Sequence, residues 1–222
     1  MYIVVDERQM VTAGYVASFD REGVSSLGLF SGEFKDWLGA ASNSDLEAVQ
    51  GFLLGDFQDR MTCADVIRRH SRAPIIALSE VRSLEQTLEL LAANIDDVVR
   101  KPVHVREILA RSEAIWRRMS GAPTSERPER LKVYFDGRDP EIDGESLVLP
   151  RRERHILEYL VRNRGRRLTK TQIFNAIYGI YSNDVEESVI EGHVSKLRKK
   201  LRQRLGYDPI EAKRYIGYIF VG

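Results

Sequence analysis

Cysteine is nearly absent from this 222-residue sequence. With Cys63 alone, an internal disulfide framework and any metal site built from several thiolates are excluded, which fits a reducing compartment. Long apolar runs are absent as well: none approaches the roughly 18 residues of a membrane span, and the opening MYIVVDERQM lacks the basic-then-apolar order of a secretory signal. A cytoplasmic protein without a membrane partner is expected. The sequence shows no phosphate loop, no nucleophile with an organised base and no ligand spacing among His70, His104 and His155, so neither an enzyme nor a bound cofactor or metal is expected. Net charge is small too, at +1, but it conceals an asymmetry. Residues 1–118 hold 14 Lys plus Arg against 18 Asp plus Glu, or −4, whereas residues 119–222 hold 20 against 15, or +5. Only the second half is suited to a polyanion.

What is present is ordinary globular composition, 43% hydrophobic and 30% charged, in a chain long enough for two domains. The break falls at MSGAPTSERPER, residues 119–130, where Gly and Pro stand among charges without apolar period. Before it, strand-like runs at 3–5, 24–30, 48–54, 74–79 and 96–99 alternate with helical patterns. On the clearest helix Val105, Ile108, Leu109, Ser112, Ile115 and Trp116 share one face. Five strands, each followed by a helix, predict an α/β domain over 1–118 with a doubly wound parallel sheet, whose sites lie at the strands' carboxyl ends. Residues 131–222 instead read as short strands, three helices and a closing hairpin, a winged helix-turn-helix. Thr169 and Gln172 have capping-box spacing at the start of the second helix, and Gly165 and Gly206 are placed to end the first and third.

The third helix carries the most information. Ile190, Val194, Leu197 and Leu201 form a buried stripe, and the opposite side presents Ser188, Gly192, Ser195 and Lys199, flanked by Lys196, Arg198, Lys200 and Arg202. Short side chains let a backbone approach base edges while cations reach phosphates, which suits a helix in a major groove. A solvated basic face is the other reading of this helix taken alone.

The run RRERHILEYLVRNRGRRLTKTQIFNAIYG, then HVSKLRKKL and RYIGY, resembles the effector domain of OmpR/PhoB-type response regulators. IVVDE, PIIALS, DDVVRKPV and REILARSEAI resemble their CheY-like (βα)5 receiver, in the expected order. DDVVRKPVHVREILAR and FNAIYGIY are similar to the FtcR/Rem group of flagellar transcriptional regulators.

The resemblance implies a receiver site at Asp6, Glu7, Ser79 and Lys101, the first two matching the acidic pair that holds magnesium. Aligning VQGFLLG with the family's phosphoacceptor strand puts Gln50 in the aspartate's place, and an amide is neither a nucleophile for phosphoryl transfer nor an anionic metal ligand. The pocket then reads either as a relic held by Lys101 and Asp6 or as a retained magnesium site. Asp56, past the strand beside Gly55, is not expected to substitute as acceptor. Val98 replaces the family's switching aromatic. Asp97, Glu107, Arg111 and Arg118 match the charged face through which receivers of this family pair, implying a homodimer, at least on DNA. Thr87 and Ala93 stand where charged partners would be expected.

His193 matches the recognition-helix histidine, and Arg214 matches a wing residue that reaches the minor groove or its phosphates. Tyr215 replaces a glycine there. The loop GIYSND, 179–184, is either a surface for RNA polymerase or a plain turn. The function implied is a sequence-specific regulator of promoter DNA, an activator of motility genes that works without phosphorylation. The alternative is a regulator whose pseudo-receiver is bound by a partner that gates access to DNA.

Overall fold

The computed structural model describes residues 1–119, 130–179, 185–213 and 216–222, and the chain divides into two compact units, Met1–Ser120 and Gly121–Gly222. The linker expected at 119–130 lies outside the described residues except for its two ends.

The first unit runs β1 (Tyr2–Val5), α1 (Gln9–Arg21), β2 (Ser26–Leu29), α2 (Ser31–Ala40), α3 (Asn43–Ala48), β3 (Gly51–Leu54), α4 (Arg60–His70), β4 (Ile75–Ser79), α5 (Leu84–Ala92), β5 (Asp97–Arg100) and α6 (Val105–Met119). All strand pairs are parallel, in the order β2-β1-β3-β4-β5. Residues of β1, β3 and β4 are buried throughout, because helices cover both faces and leave no wet side for alternation. The α6 face forms as expected, with Val105, Ile108, Leu109, Ser112 and Ile115 buried, most of them against Tyr2, Phe19, Leu53 and Ile76.

One segment differs from the sequence reading. The run 48–54 is not one strand: its first residue, Ala48, ends helix α3, and β3 begins only at Gly51. A capping box causes this, with the Asp45 amide donating to Ser42 Oγ at 3.2 Å and the Ser42 amide donating to Asp45 Oδ2 at 3.0 Å. The cap starts a short helix that takes Ala48 from the strand and sets Gln50 ahead of it.

The second unit runs β6 (Leu131–Lys132), β7 (Glu141–Ile142), β8 (Glu145–Ser146), α7 (Arg151–Arg162), α8 (Lys170–Tyr178), α9 (Val189–Leu205), β9 (Ile210–Lys213) and β10 (Gly217–Phe220). The strands β6-β7-β8 make a small antiparallel sheet and β9-β10 is a hairpin. The three helices enclose a core that includes Ile156, Leu160, Ile173, Ile177, Ile190 and Leu197. The capping box at Thr169 is formed, its amide donating to Gln172 Oε1 at 2.8 Å while the Gln172 amide donates to Thr169 Oγ1 at 3.1 Å. Gly206 ends α9 in the left-handed conformation, and α7 ends at Arg162, before Gly165 at φ +76°.

Buried in α7 is His155, whose pKa burial lowers to about 3, with the surrounding arginines, Arg154 first, acting in the same direction. An unfolded imidazole binds its proton below about pH 6.5, the folded one only near 3, so between those values the unfolded state holds the extra proton. Stability of this unit is therefore expected to fall as pH drops below 6.5, by about 2 kcal/mol at pH 5. Urea titrations at pH 7 and 5 should show that loss, and His155→Leu should flatten it. An equal slope in both proteins would clear His155 as its source.

Candidate nucleic-acid interface and receiver site

Helix α9 buries Ile190, Val194, Leu197, Leu201 and Leu205 and turns the opposite face outward. Ser188, Gly192, Ser195, Lys199 and Arg202, spaced four, three, four and three, all lie exposed in one row, with Lys196 exposed beside them. Ser188 stands just ahead of the helix and its hydroxyl donates to Glu186 Oε2 at 3.1 Å.

The flanking cations separate into two sets that the sequence did not distinguish. Arg198 Nη2 and Arg202 Nη2 each lie 2.8 Å from Asp208 Oδ2. Burial would raise the Asp208 carboxyl, but the hydrogen bonds from Arg198 and Arg202 outweigh it and hold the pKa below its ordinary value. Lys200 reaches the buried carboxylate of Glu153 at 2.8 Å. Lys196 and Lys199 have no acidic partner among the described residues. Burial lowers the pKa of His193 too. Its ring is half-buried, with Nε2 3.0 Å from the Tyr178 hydroxyl, so it braces α9 on α8 instead of joining the exposed row. Asp208 and Glu153 had no signal in the sequence, because both meet α9 only in the folded chain. Arg214, Tyr215 and all but Gly179 of the 179–184 loop lie outside the described residues.

In the first unit, Asp6, Ser79 and Lys101 come together at the carboxyl end of the sheet, and Glu7 is exposed beside them. Asp6 is 2% exposed and both its oxygens are used. Oδ1 accepts from the Arg8 amide at 3.0 Å and Arg8 Nε at 3.2 Å, and Oδ2 accepts from Lys101 Nζ at 2.5 Å. Burial alone would raise this carboxyl, but the Lys101 and Arg8 hydrogen bonds outweigh it and hold its pKa low. The Ser79 hydroxyl engages the Val81 carbonyl at 3.1 Å and Gln86 Oε1 at 3.2 Å, on the α5 side.

Gln50 is not in this cluster, which corrects the alignment that put it there. Its amide donates to the Met1 carbonyl at 2.7 Å and its carbonyl accepts from Trp116 Nε1 at 3.2 Å, both at the amino end of the sheet. Five residues of nearly extended chain, roughly 16 Å, separate it from the carboxyl end. The acid at this end of β3 is Asp56, which is not expected to substitute as acceptor. Asp56 Oδ1 accepts from Arg60 Nη1 at 2.7 Å, and Oδ2 accepts from the Glu80 amide at 3.2 Å. Gly55 makes room, since a Cβ there would stand 2.4 Å from Asp6 Oδ2. The signal in the sequence is an acid two residues after the apolar run GFLL, together with the Ser42–Asp45 capping-box spacing that fixes where the strand starts.

A divalent metal, implied at the acidic pair by the family resemblance, does not fit this arrangement. Both oxygens of Asp6 and both of Asp56 already hold donors, and no group of three His, Cys, Asp or Glu side chains among the described residues is set to hold an ion. Elsewhere in the unit, Arg111 pairs within the chain to Asp97 at 3.0 Å and Glu107 at 2.7 Å, while Arg118 Nε donates to the Ala114 carbonyl at 3.3 Å. Leu84, Leu88 and Leu91 form an exposed row on α5, a feature the sequence reading did not single out.

A receiver-like parallel sheet and a winged helix-turn-helix in one chain define the class of OmpR/PhoB-type response regulators. The family model that matches, "Transcriptional regulatory protein, C terminal", covers residues 144–220. The flagellar transcriptional regulator FtcR of Brucella abortus (strain 2308) is 52% identical over 222 residues, 98% of each chain. The transcriptional regulatory protein PhoP of Escherichia coli (strain K12) is 32% identical over 150 residues, 66% of each chain. Among solved structures, the Thermotoga maritima OmpR/PhoB homolog DrrB aligns over 100% of this chain and 98% of its own, at 22% identity and a TM-score of 0.42. The chain belongs to the FtcR family of flagellar transcriptional regulators. No described helix is long and apolar enough to cross a membrane.

Proposed function

We propose that this protein is a sequence-specific DNA-binding activator of flagellar genes, working in the cytoplasm on promoter DNA and contacting RNA polymerase. The exposed row on α9, with short side chains at Gly192 and Ser195 and with Lys196 and Lys199 unpaired among the described residues, carries the reading. Kinship with a flagellar transcriptional regulator supports the gene class. Two copies bind side by side, each α9 reading one half of a repeated site, and the exposed leucine row of α5 supports pairing through the receiver-like unit. Mapping bound DNA in cells tests the reading: enrichment at flagellar promoters that loses transcription on deletion is expected, and enrichment elsewhere or increased transcription would overturn it.

The receiver-like unit works without aspartyl phosphorylation, for a reason other than Gln50. The acid at the carboxyl end, Asp56, is engaged by Arg60 and by the Glu80 amide. Incubation with acetyl phosphate should leave no adduct and unchanged DNA affinity. A phosphoryl group recovered on Asp56 together with tighter binding would reverse this.

Gly192 gives a prediction of opposite signs. A Cβ there meets nothing within 4 Å, so packing in the free protein does not require glycine, which disfavours a helix interior relative to alanine by about 0.5–1 kcal/mol. Gly192→Ala should raise stability by about that amount while weakening promoter binding. If denaturant titration and gel shift moved together, Gly192 would not mark a close approach to DNA.

A further inference from the structure

We propose that Arg8 is a built-in cation that takes the place of a divalent metal at the carboxyl end of the receiver sheet. Its guanidinium has Nε on Asp6 Oδ1 and Nη2 on the Glu80 carboxylate, so it joins the end of β1 to the loop after β4. Lys101 closes the other side, 2.5 Å from Asp6 Oδ2 and 3.8 Å from Glu80 Oε1. Arg60 neutralises Asp56. Asp6, Glu80 and Asp56 are thus balanced by Arg8, Lys101 and Arg60, so that of the four carboxylates at this end only the exposed Glu7 is left to attract a dication. A magnesium ion needs carboxylate oxygens free to join its octahedron, and entry here would require expelling Arg8 from Asp6. The Arg8 link to Glu80 also tethers the loop that leads into α5, the helix with the exposed leucine row.

Arg8 is about half exposed, so its removal should leave the fold intact and the cluster short of one positive charge. The test uses the full chain and Mn2+ as the probe, with free Mn2+ read by electron paramagnetic resonance and Mg2+ as competitor. Wild-type protein should take up no stoichiometric Mn2+ at about 1 mM, and neither should Arg8→Lys, which keeps the charge. Arg8→Ala and Arg8→Gln should bind at least about tenfold more tightly, and adding Asp6→Asn should abolish the gain. Cooperative melting identifies which variants are folded, and the glutamine variant keeps a polar side chain if the alanine variant is not. Stoichiometric wild-type binding lost on Asp6→Asn would overturn the proposal, as would folded Arg8 variants that bind no better than wild type. Promoter binding, measured on the same samples, can succeed or fail independently of metal uptake.

Discussion

A Lys196→Ala, Lys199→Ala variant is expected to bind promoter DNA roughly thirtyfold more weakly at physiological salt, with the salt slope reduced by about two. Each lysine that neutralises a phosphate releases counterion equivalent to about 0.9 of a unit in that slope, and two such contacts at about 0.15 M amount to that loss. These two lysines have no acidic partner among the described residues. Arg198 and Arg202 share Asp208, and Lys200 answers the buried Glu153, so those cations are committed to holding α9 in place. Gel shifts over a salt series would measure the effect. An unchanged slope would mean that this row does not face phosphates, and the DNA-binding role assigned to α9 would fall with it.

Gly217→Ala is expected to remove about 3 kcal/mol or more from the C-terminal unit and to abolish DNA binding through unfolding. Gly217 has φ +129°, outside the range of ordinary side chains, and a Cβ would stand 2.1 Å from the Leu168 carbonyl oxygen. That carbonyl accepts from the Tyr218 amide at 2.8 Å, and the Leu168 amide donates to the Tyr218 carbonyl at 2.7 Å. The hairpin is thereby stitched to the residue just before the Thr169 cap of α8. A methyl group forced into that space would separate the hairpin from the helix pair and disturb the cap together. Denaturation of the full chain should show the C-terminal transition moved and the receiver transition unmoved. A variant within about 1 kcal/mol of wild type would refute the close approach.

Most of the fold was legible in the sequence. The α9 stripe, the α6 face and the Thr169–Gln172 box all depend on neighbours three or four residues apart, and local spacing decides them. The strands of the first unit were legible for a related reason, since a buried parallel strand has to be a short apolar run. The receiver site was half legible. Asp6, Ser79 and Lys101 converge because strand ends in a parallel sheet converge, whereas Gln50 was misplaced by a short run of similar character on either side of it. Nothing in AVQGFLL says where helix stops and strand begins; the Ser42 cap, six residues upstream, says it.

From sequence alone came two units, their architectures, and a cationic helix with short residues at its tip, because periodicity and composition record which faces meet water. The tertiary structure alone decided the pairings. It set Arg8 between Asp6 and Glu80, gave Arg60 to Asp56, spent Arg198 and Arg202 on Asp208, and left Lys196 and Lys199 available. Charge is a long-range property whose effect depends on what the fold brings within a few ångströms, and a sequence lists charges without their distances.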